Sequence, residues 1–549
     1  MALASKRNNA SSMERIVGLS LLTLLGLYCM LTVFAYYKVS QSDHGLPLVQ
    51  STIVTAASAN EVPYQRQMVA DTDKISSISE LQNAFPIYVG KDVETIIHPG
   101  VQVLSPTAIT KWPDDLPKNM SVPQFFDDSH GHLYGGSIRE FLGNNGEKLI
   151  TPEQAAKIGS KITVRGKEVE TIYCSVASYR DPECSGTVAD VFERAEYPER
   201  IRVAILDQRA EGDPVCGAAD CDADPNQTLC KYAHLIEHTS LDARLSCGPV
   251  FARHLAHRHY RGEYFAMQID SHVRFIEHWD SKIVGFWHSA NNEMAVLTTY
   301  LSDINGSIDP ITHESLHKTR PIMCASDYEG NGEYRHLRHG QQPEGIPMIK
   351  GEPTLEPFWA AGFSFSRGHF VIQVPYDMYL PMVFQGEEIS IGLRGFTYGY
   401  DYYTPEEGVC FHMYAIKENE AKRKKVPLFW ENSSMYTGVG MKAMRRLNTI
   451  IGMENYPRDQ WQTDEEEKYG LGKVRTTQKF FDVFGIHPEK HTVEQHLCRF
   501  VGQPMMKELK PHLRSDRMGI DYNSVTYRYV DTGSVNNKHI PVGVKKAVA

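Results

Sequence analysis

The 549-residue chain has no basic excess: 57 Lys and Arg stand against 67 Asp and Glu, for a net charge of −10. Without a basic footprint, nucleic acid is not an expected partner. Beyond one N-terminal segment the chain has no strongly apolar run, so one membrane span is all it offers. It has ten cysteines but no Cys-x-x-Cys pair, so the usual zinc spacing is missing. A carboxylate pair at the separation a glycoside hydrolase needs is not in view either. Glu387 and Glu388 are neighbours, and on a strand they would face opposite ways. Internal repeats and low-complexity arrays are absent. What remains is ordinary globular composition, 42% hydrophobic and 23% charged, with room for two to four domains.

The single apolar run is Ile16 to Tyr37. It carries no charge and is about as long as a bilayer span. Lys6, Arg7 and Arg15 precede it, which predicts a cytoplasmic N-terminus and a type II anchor. A cleaved signal peptide is the competing reading, but the run exceeds a typical h-region and no small-x-small site follows at once. The expected organisation is a cytoplasmic tail (1–15), a transmembrane anchor (16–37) and a stem (38–85). A small irregular module (86–165), a main domain (166–425) and a C-terminal extension with a loose tail (426–549) follow. Everything after the anchor is expected in the Golgi lumen. There some of the nine remaining cysteines should pair, and at least one of an odd number stays free within the chain. Cys216, Cys221 and Cys230 crowd one loop with Asp220, Asp222 and Asp224, where disulfides are favoured over a zinc site. Sequons at Asn119, Asn226, Asn305 and Asn432 are expected surface glycans.

From Glu170 the pattern becomes regular. Thr171–Ser178 reads as a buried strand. Asp181 and Pro182 read as the N-cap and first position of a helix, with Val188, Val191, Phe192 and Ala195 on one face. Arg202–Leu206 reads as a second strand, with Asp207 at its end. This β-α-β unit predicts an α/β fold with a parallel sheet. A helix is expected near Val250–Tyr260, a strand over Glu263–Ile269, a helix from about Phe275 and a strand over Met294–Leu301. Three strands thus end at Ala177-Ser178, Asp207 and Asp270. Ligands of such sheets lie outside the strand carboxyl ends.

The last of these ends is the chemical centre of the sequence. Asp270-Ser271-His272 leaves the strand as a turn, and a carboxylate with an imidazole two residues on can hold one divalent cation. The alternative is a cap on a helix beginning at Val273. A second block runs from Phe358 to Tyr414. It contains Ala360-Ala361-Gly362, Phe384-Gln385-Gly386-Glu387-Glu388, Gly399-Tyr400-Asp401-Tyr402-Tyr403 and Phe411-His412-Met413-Tyr414.

Taken in order, IYCSVASYRDPECSGTVADVFERAEYPERIRVAILDQ, AMQIDSHVRF, AAGFSFSRGHF, FQGEEISIGLRGF, GYDYY and CFHMY resemble the hydroxyproline-polypeptide α-N-acetylglucosaminyltransferases over about residues 168–500. The mucin-type polypeptide N-acetylgalactosaminyltransferases are a more distant likeness. The resemblance implies a GT-A type, Rossmann-like nucleotide-sugar-binding domain. It implies a UDP-GlcNAc donor, a Mn²⁺-type divalent ion and retaining transfer to a polypeptide hydroxyl. It assigns Asp270, His272 and His412 to the metal. Glu387, with Glu388 beside it, falls to the reacting centre. Ala361 and Gly362 fall near the sugar. Ser178, Arg180, Asp207, Arg244 and Arg253 are the expected nucleotide contacts, because guanidinium groups pair well with phosphate and Asp207 can accept from the uridine. An anchored, lumenal chain leaves the acceptor open between Ser/Thr and hydroxyproline.

Overall fold

The computed structural model describes residues 93–96, 146–526, 528–529 and 541–542, apart from 157, 258, 261, 318, 340–345, 348–350, 437, 495–497 and 499–502. The expected anchor (16–37), the stem (38–85) and the sequon at Asn119 lie outside these residues. Among the described residues no helix is long and apolar enough to cross a membrane.

A three-stranded antiparallel sheet comes first: β1 (Val93–Ile96), β2 (Lys161–Val164) and β3 (Lys167–Glu170). The turn Arg165-Gly166, both at positive φ, joins β2 to β3.

The main body is an eight-stranded mixed sheet. Its strands are β4 (Ile172–Tyr179), β5 (Ile201–Arg209), β6 (Ile236–Asp242), β7 (Phe265–Asp270), β9 (Ala295–Thr298), β10 (Thr354–Glu356), β11 (Phe363–Arg367) and β12 (Asp401–Thr404), in the spatial order β10-β12-β9-β11-β7-β4-β5-β6. Neighbours among β7, β4, β5 and β6 run parallel. β11 is antiparallel to both β7 and β9, and β12 is parallel to β9. A two-stranded ribbon, β8 (Val273–Phe275) with β13 (Cys410–His412), stands off this sheet.

The strands form where expected because their residues are apolar on both faces. Ile172, Tyr173, Cys174 and Val176 of β4 are fully buried, as are Ile201, Val203, Ala204 and Ile205 of β5. Such double burial is the mark of a parallel sheet covered on both faces. Each buried Val or Ile contributes about 1.5–3 kcal/mol relative to exposure. Among the covering helices are α1 (Cys184–Glu193), α2 (Pro249–His257), α3 (Trp279–Ala290) and α4 (Glu387–Tyr398).

Two boundaries differ from the sequence reading. Helix α1 starts at Cys184, not at Pro182. Asp181 does not cap it. Its Oδ1 instead accepts from the Glu183 N–H at 3.0 Å in a local Asx-type turn. The segment after His272 is not a helix but strand β8, and Phe275 pairs with Cys410. Helix α3 therefore begins only at Trp279, after His278 at φ +57° breaks the path. Glu387 and Glu388 sit on the first turn of helix α4. Gly386 opens that helix at φ +108°, and a Cβ there would also meet Leu447 Cδ1 at 2.9 Å.

Disulfides Cys184–Cys216 and Cys221–Cys230 staple the loop after β5, as the crowded cysteines suggested. Cys324–Cys498 ties the C-terminal extension to the main body. Cys174, Cys247 and Cys410 are free and buried.

Candidate functional site

Strand β7 delivers Asp270 at its carboxyl end, and the chain turns at Ser271 and re-enters a ribbon at Val273. The ribbon partner across from Val273 is His412. The Met413 N–H donates to His272 O at 3.0 Å, and the His412 N–H donates to Ser302 O at 3.0 Å. These backbone bonds hold a residue 140 positions downstream of His272 beside it. The two imidazoles meet edge to face, with ring centroids 4.4 Å apart. His412 Nε2 is 3.5 Å from Asp270 Oδ2. Asp270, His272 and His412 each offer a ligand atom within 4.8 Å of the others, so one cation can bridge all three.

The donor set suits a borderline divalent ion: one carboxylate and two imidazoles. His412 Nδ1 is buried without a hydrogen-bond partner. His272 Nδ1 is 2.7 Å from Asp181 Oδ2, which leaves its Nε2 to face the centre. A carboxylate on the far imidazole nitrogen is the usual outer partner of a metal-ligating histidine. The residues therefore fit a metal such as Mn²⁺.

Arg253 of α2 is the electrostatic hinge of the site. Its Nη2 donates to Asp270 Oδ1 at 2.6 Å, and its Nη1 donates to Glu387 Oε1. Burial works against the charge on Asp270, but His412, Arg253 and His272 together hold its carboxyl well below the usual range. Burial also pushes the Glu387 carboxyl up, partly offset by Arg253 and Tyr376.

Glu388 faces a different set. Its Oε1 accepts from the Ala361 N–H at 3.0 Å, and its Oε2 accepts from the Tyr300 hydroxyl. Burial pushes its carboxyl up to about 6, although both hydrogen bonds favour the ionised form. On a helix these neighbouring glutamates are about 100° apart. That separation lets Glu387 lock onto Arg253 while Glu388 keeps part of its surface open.

The small segment before β11 closes the ring. The Asp270 N–H donates to Gly362 O at 3.2 Å, and a Cβ at Gly362 would lie 3.1 Å from Asp270 Oδ2. Gln268 Nε2 donates to Ala361 O at 2.7 Å, and Gln268 Oε1 accepts from the Tyr376 hydroxyl at 2.8 Å. Asp270, His272, His412, Arg253, Glu387, Glu388, Ala361 and Gly362 are thus one connected constellation.

The other expected nucleotide contacts are placed as follows. Ser178 and Asp207 are cross-strand partners in the β4–β5 ladder. Ser178 Oγ is buried without a partner. Asp207 Oδ2 accepts from the Cys216 N–H at 2.9 Å and lies 3.1 Å from His238 Nε2. Arg180, at φ +50°, pairs with Asp213 at 2.8 Å and Glu431 at 2.9 Å. Arg244 stands on the surface, paired with Asp242 two residues before it, and is not bonded into the cluster. Asp181, Tyr300, Tyr376, Gln268 and Arg423 belong to the site without having been singled out as site residues. Asp181 carried a local signal, but it was one for a helix N-cap.

The model of a glycosyltransferase family described as GlcNAc matches residues 171–233 and 220–490. No curated protein matches the chain. Among solved structures, the chain is similar to GalNAc-T7 with UDP, GalNAc and Mn²⁺, at 12% identity over 72% of each chain and a TM-score of 0.37. It is also similar to Staphylococcus aureus TarS 1–349 in complex with UDP-GlcNAc, at 11% identity over 53% of this chain and 78% of that one, with a TM-score of 0.28.

Proposed function

The chain belongs to the GlcNAc glycosyltransferase family, and on that premise we propose that it is a retaining, metal-dependent transferase with a GT-A type catalytic domain. In this reading it moves N-acetylglucosamine from UDP-GlcNAc to a polypeptide hydroxyl, of Ser/Thr or hydroxyproline, in the Golgi lumen.

One observation carries the reading: Asp270, His272 and His412 converge on one point beside a helix whose first turn holds Glu387 and Glu388. A diphosphate leaving group gathers negative charge as the sugar departs, and a bound Mn²⁺ supplies the Lewis acid that neutralises it. The chain's own residues do the rest. Arg253 holds Asp270 and Glu387 in fixed positions, so the site is organised before the donor arrives. Glu388, open on one side and bonded to the Ala361 N–H, is placed to accept from a sugar or acceptor hydroxyl. Ser178, Asp207 and Arg180 stand at the ends of β4 and β5, where the uridine of an α/β sheet ligand is accommodated. In a retaining transfer the acceptor proton passes to the leaving phosphate oxygen, so no strong general base is required.

The test is UDP release by the purified chain from a panel of UDP-sugars, with Ser/Thr-rich and hydroxyproline peptides, in Mn²⁺ or EDTA, beside Asp270→Ala. Turnover of UDP-GlcNAc that needs the metal and is lost in the variant supports the reading, and the better peptide names the acceptor. A folded protein that binds glycans or peptides but turns over no donor is a lumenal binding or scaffolding protein instead.

A further inference from the structure

The segment that follows His412 folds back over the metal ligands. Tyr414 packs on the His412 ring with centroids 4.0 Å apart, and its hydroxyl donates to Leu301 O at 2.9 Å. The segment then reaches the one-turn helix Glu420–Arg423. From there Arg423 Nη1 donates to Asp181 Oδ1 at 2.8 Å, and Lys422 pairs with Glu183. Glu183 also holds Arg274 at 2.9 Å.

Asp181 is the meeting point. It is buried and has two carboxylate oxygens with separate duties. Oδ2 accepts from the Ser271 hydroxyl at 3.1 Å and lies 2.7 Å from His272 Nδ1. Oδ1 accepts from Arg423 and from the Glu183 N–H. An acceptor on Nδ1 makes that nitrogen carry the proton, so the lone pair of His272 is on Nε2. It also fixes the plane of the ring, because Ser271 anchors the same oxygen from the preceding residue.

We infer that Asp181 is the positioning residue that presents His272 to the metal, and that Arg423 holds Asp181 in place from the far side. The turn after β7 and the end of β13 supply the candidate ligands, while Asp181 beyond the end of β4, which orients His272, and the segment past His412, which holds Asp181, come from two further stretches of chain. This inference rests on the metal-dependent reading above. It also gives the basic stretch around Lys422–Lys425 a structural duty at the site. Without Arg423, the buried carboxylate loses the guanidinium that holds its Oδ1, and is free to turn away from the imidazole.

The experiment measures Mn²⁺ affinity of the full chain without donor or acceptor, by calorimetry and by the paramagnetic signal of free Mn²⁺. The expected order is wild type, then Arg423→Lys, then Arg423→Met and Asp181→Asn, then Asp181→Ala. Removing such an outer carboxylate typically weakens the metal by about 10–100-fold, and Asp181→Ala should fall in that range. Asp181→Asn keeps an acceptor for Nδ1–H and should lose less. Arg423→Lys should recover part of the loss in Arg423→Met, which a merely structural contact would not show. Thermal unfolding in EDTA checks that each variant is folded. If Asp181→Ala does not fold, Arg423→Met and Asp181→Asn decide the matter. Folded variants that bind Mn²⁺ as tightly as wild type overturn the positioning role while leaving the metal site intact. A wild-type chain that binds no Mn²⁺ overturns the metal-dependent reading, and this inference with it.

Discussion

Arg253 joins Asp270 to Glu387: one guanidinium nitrogen lies 2.6 Å from Asp270 Oδ1 and the other donates to Glu387 Oε1. A candidate metal-ligand carboxylate and a helix N-terminal glutamate, 117 residues apart in sequence, are thereby held by one fork. All three side chains are largely enclosed.

Removing that fork leaves the buried Glu387 carboxylate and the partly exposed Asp270 carboxylate without the guanidinium they share. Arg253→Met should therefore destabilise the protein by about 3–5 kcal/mol, the usual cost of breaking a buried pair from one side. Arg253→Lys keeps the charge but cannot bridge both acids with the same planar geometry, so it should fall between. Urea unfolding of the three proteins checks the order.

Gly362→Ala tests the approach of backbone to metal ligand. Its Cβ would lie 3.1 Å from Asp270 Oδ2, so the carboxylate must shift by a few tenths of an ångström. The expected outcome is weaker Mn²⁺ binding with little change in Tm. An unchanged metal affinity would mean that the turn relaxes at no cost to the ligand.

Much of this constellation was legible in the sequence, for identifiable reasons. The strand before Asp270 is continuous and apolar, and its polar end stood out. Ala361, Gly362, Glu387 and His412 came from the ordered resemblance. What brings His412 to His272 is a ribbon between Val273–Phe275 and Cys410–His412, a pairing between distant segments that no local pattern encodes. Asp181 looked like a helix cap because Asp-Pro commonly opens helices. Its tertiary partners His272 and Arg423 overrode that preference and moved the helix start to Cys184. Gly386 in the left-handed region starts the helix that carries Glu387 and Glu388, and on its first turn the two acids acquire different partners.

Glu388 should leave a mark on the pH dependence of stability. Burial raises its carboxyl from 4.5 to about 6, so the folded state holds that proton more tightly than the unfolded chain does. The resulting stability is present below about pH 4.5 and is lost as pH rises through about 6. The difference corresponds to about 2 kcal/mol at 1.36 kcal/mol per pH unit. Relative to Glu388→Gln, the wild type should lose about that much between pH 4.5 and 7 in urea unfolding. If the two proteins follow parallel curves, Glu388 titrates as an ordinary carboxylate.

Glycan occupancy separates two of the sequons. Asn226 is exposed, on the loop stapled by Cys221–Cys230. Asn432 is buried, and its Nδ2 donates to Ala243 O at 2.7 Å and to Ser246 O at 3.0 Å. Protein made in a secretory host should carry a glycan on Asn226 and none on Asn432, as read by peptide mass spectrometry after enzymatic deglycosylation. A glycan on Asn432 would require that segment to be modified before it folds.

The central claim is that Asp270, His272 and His412 hold a metal that the sugar transfer needs. The most direct measurement is UDP release from UDP-GlcNAc with an acceptor peptide, titrated with Mn²⁺ for the wild type and His412→Ala. The account predicts saturable metal activation in the wild type, and in the variant a loss of at least about 100-fold, the scale of removing one key electrostatic stabiliser. Full turnover in EDTA, or a folded His412→Ala that matches the wild type, would contradict it.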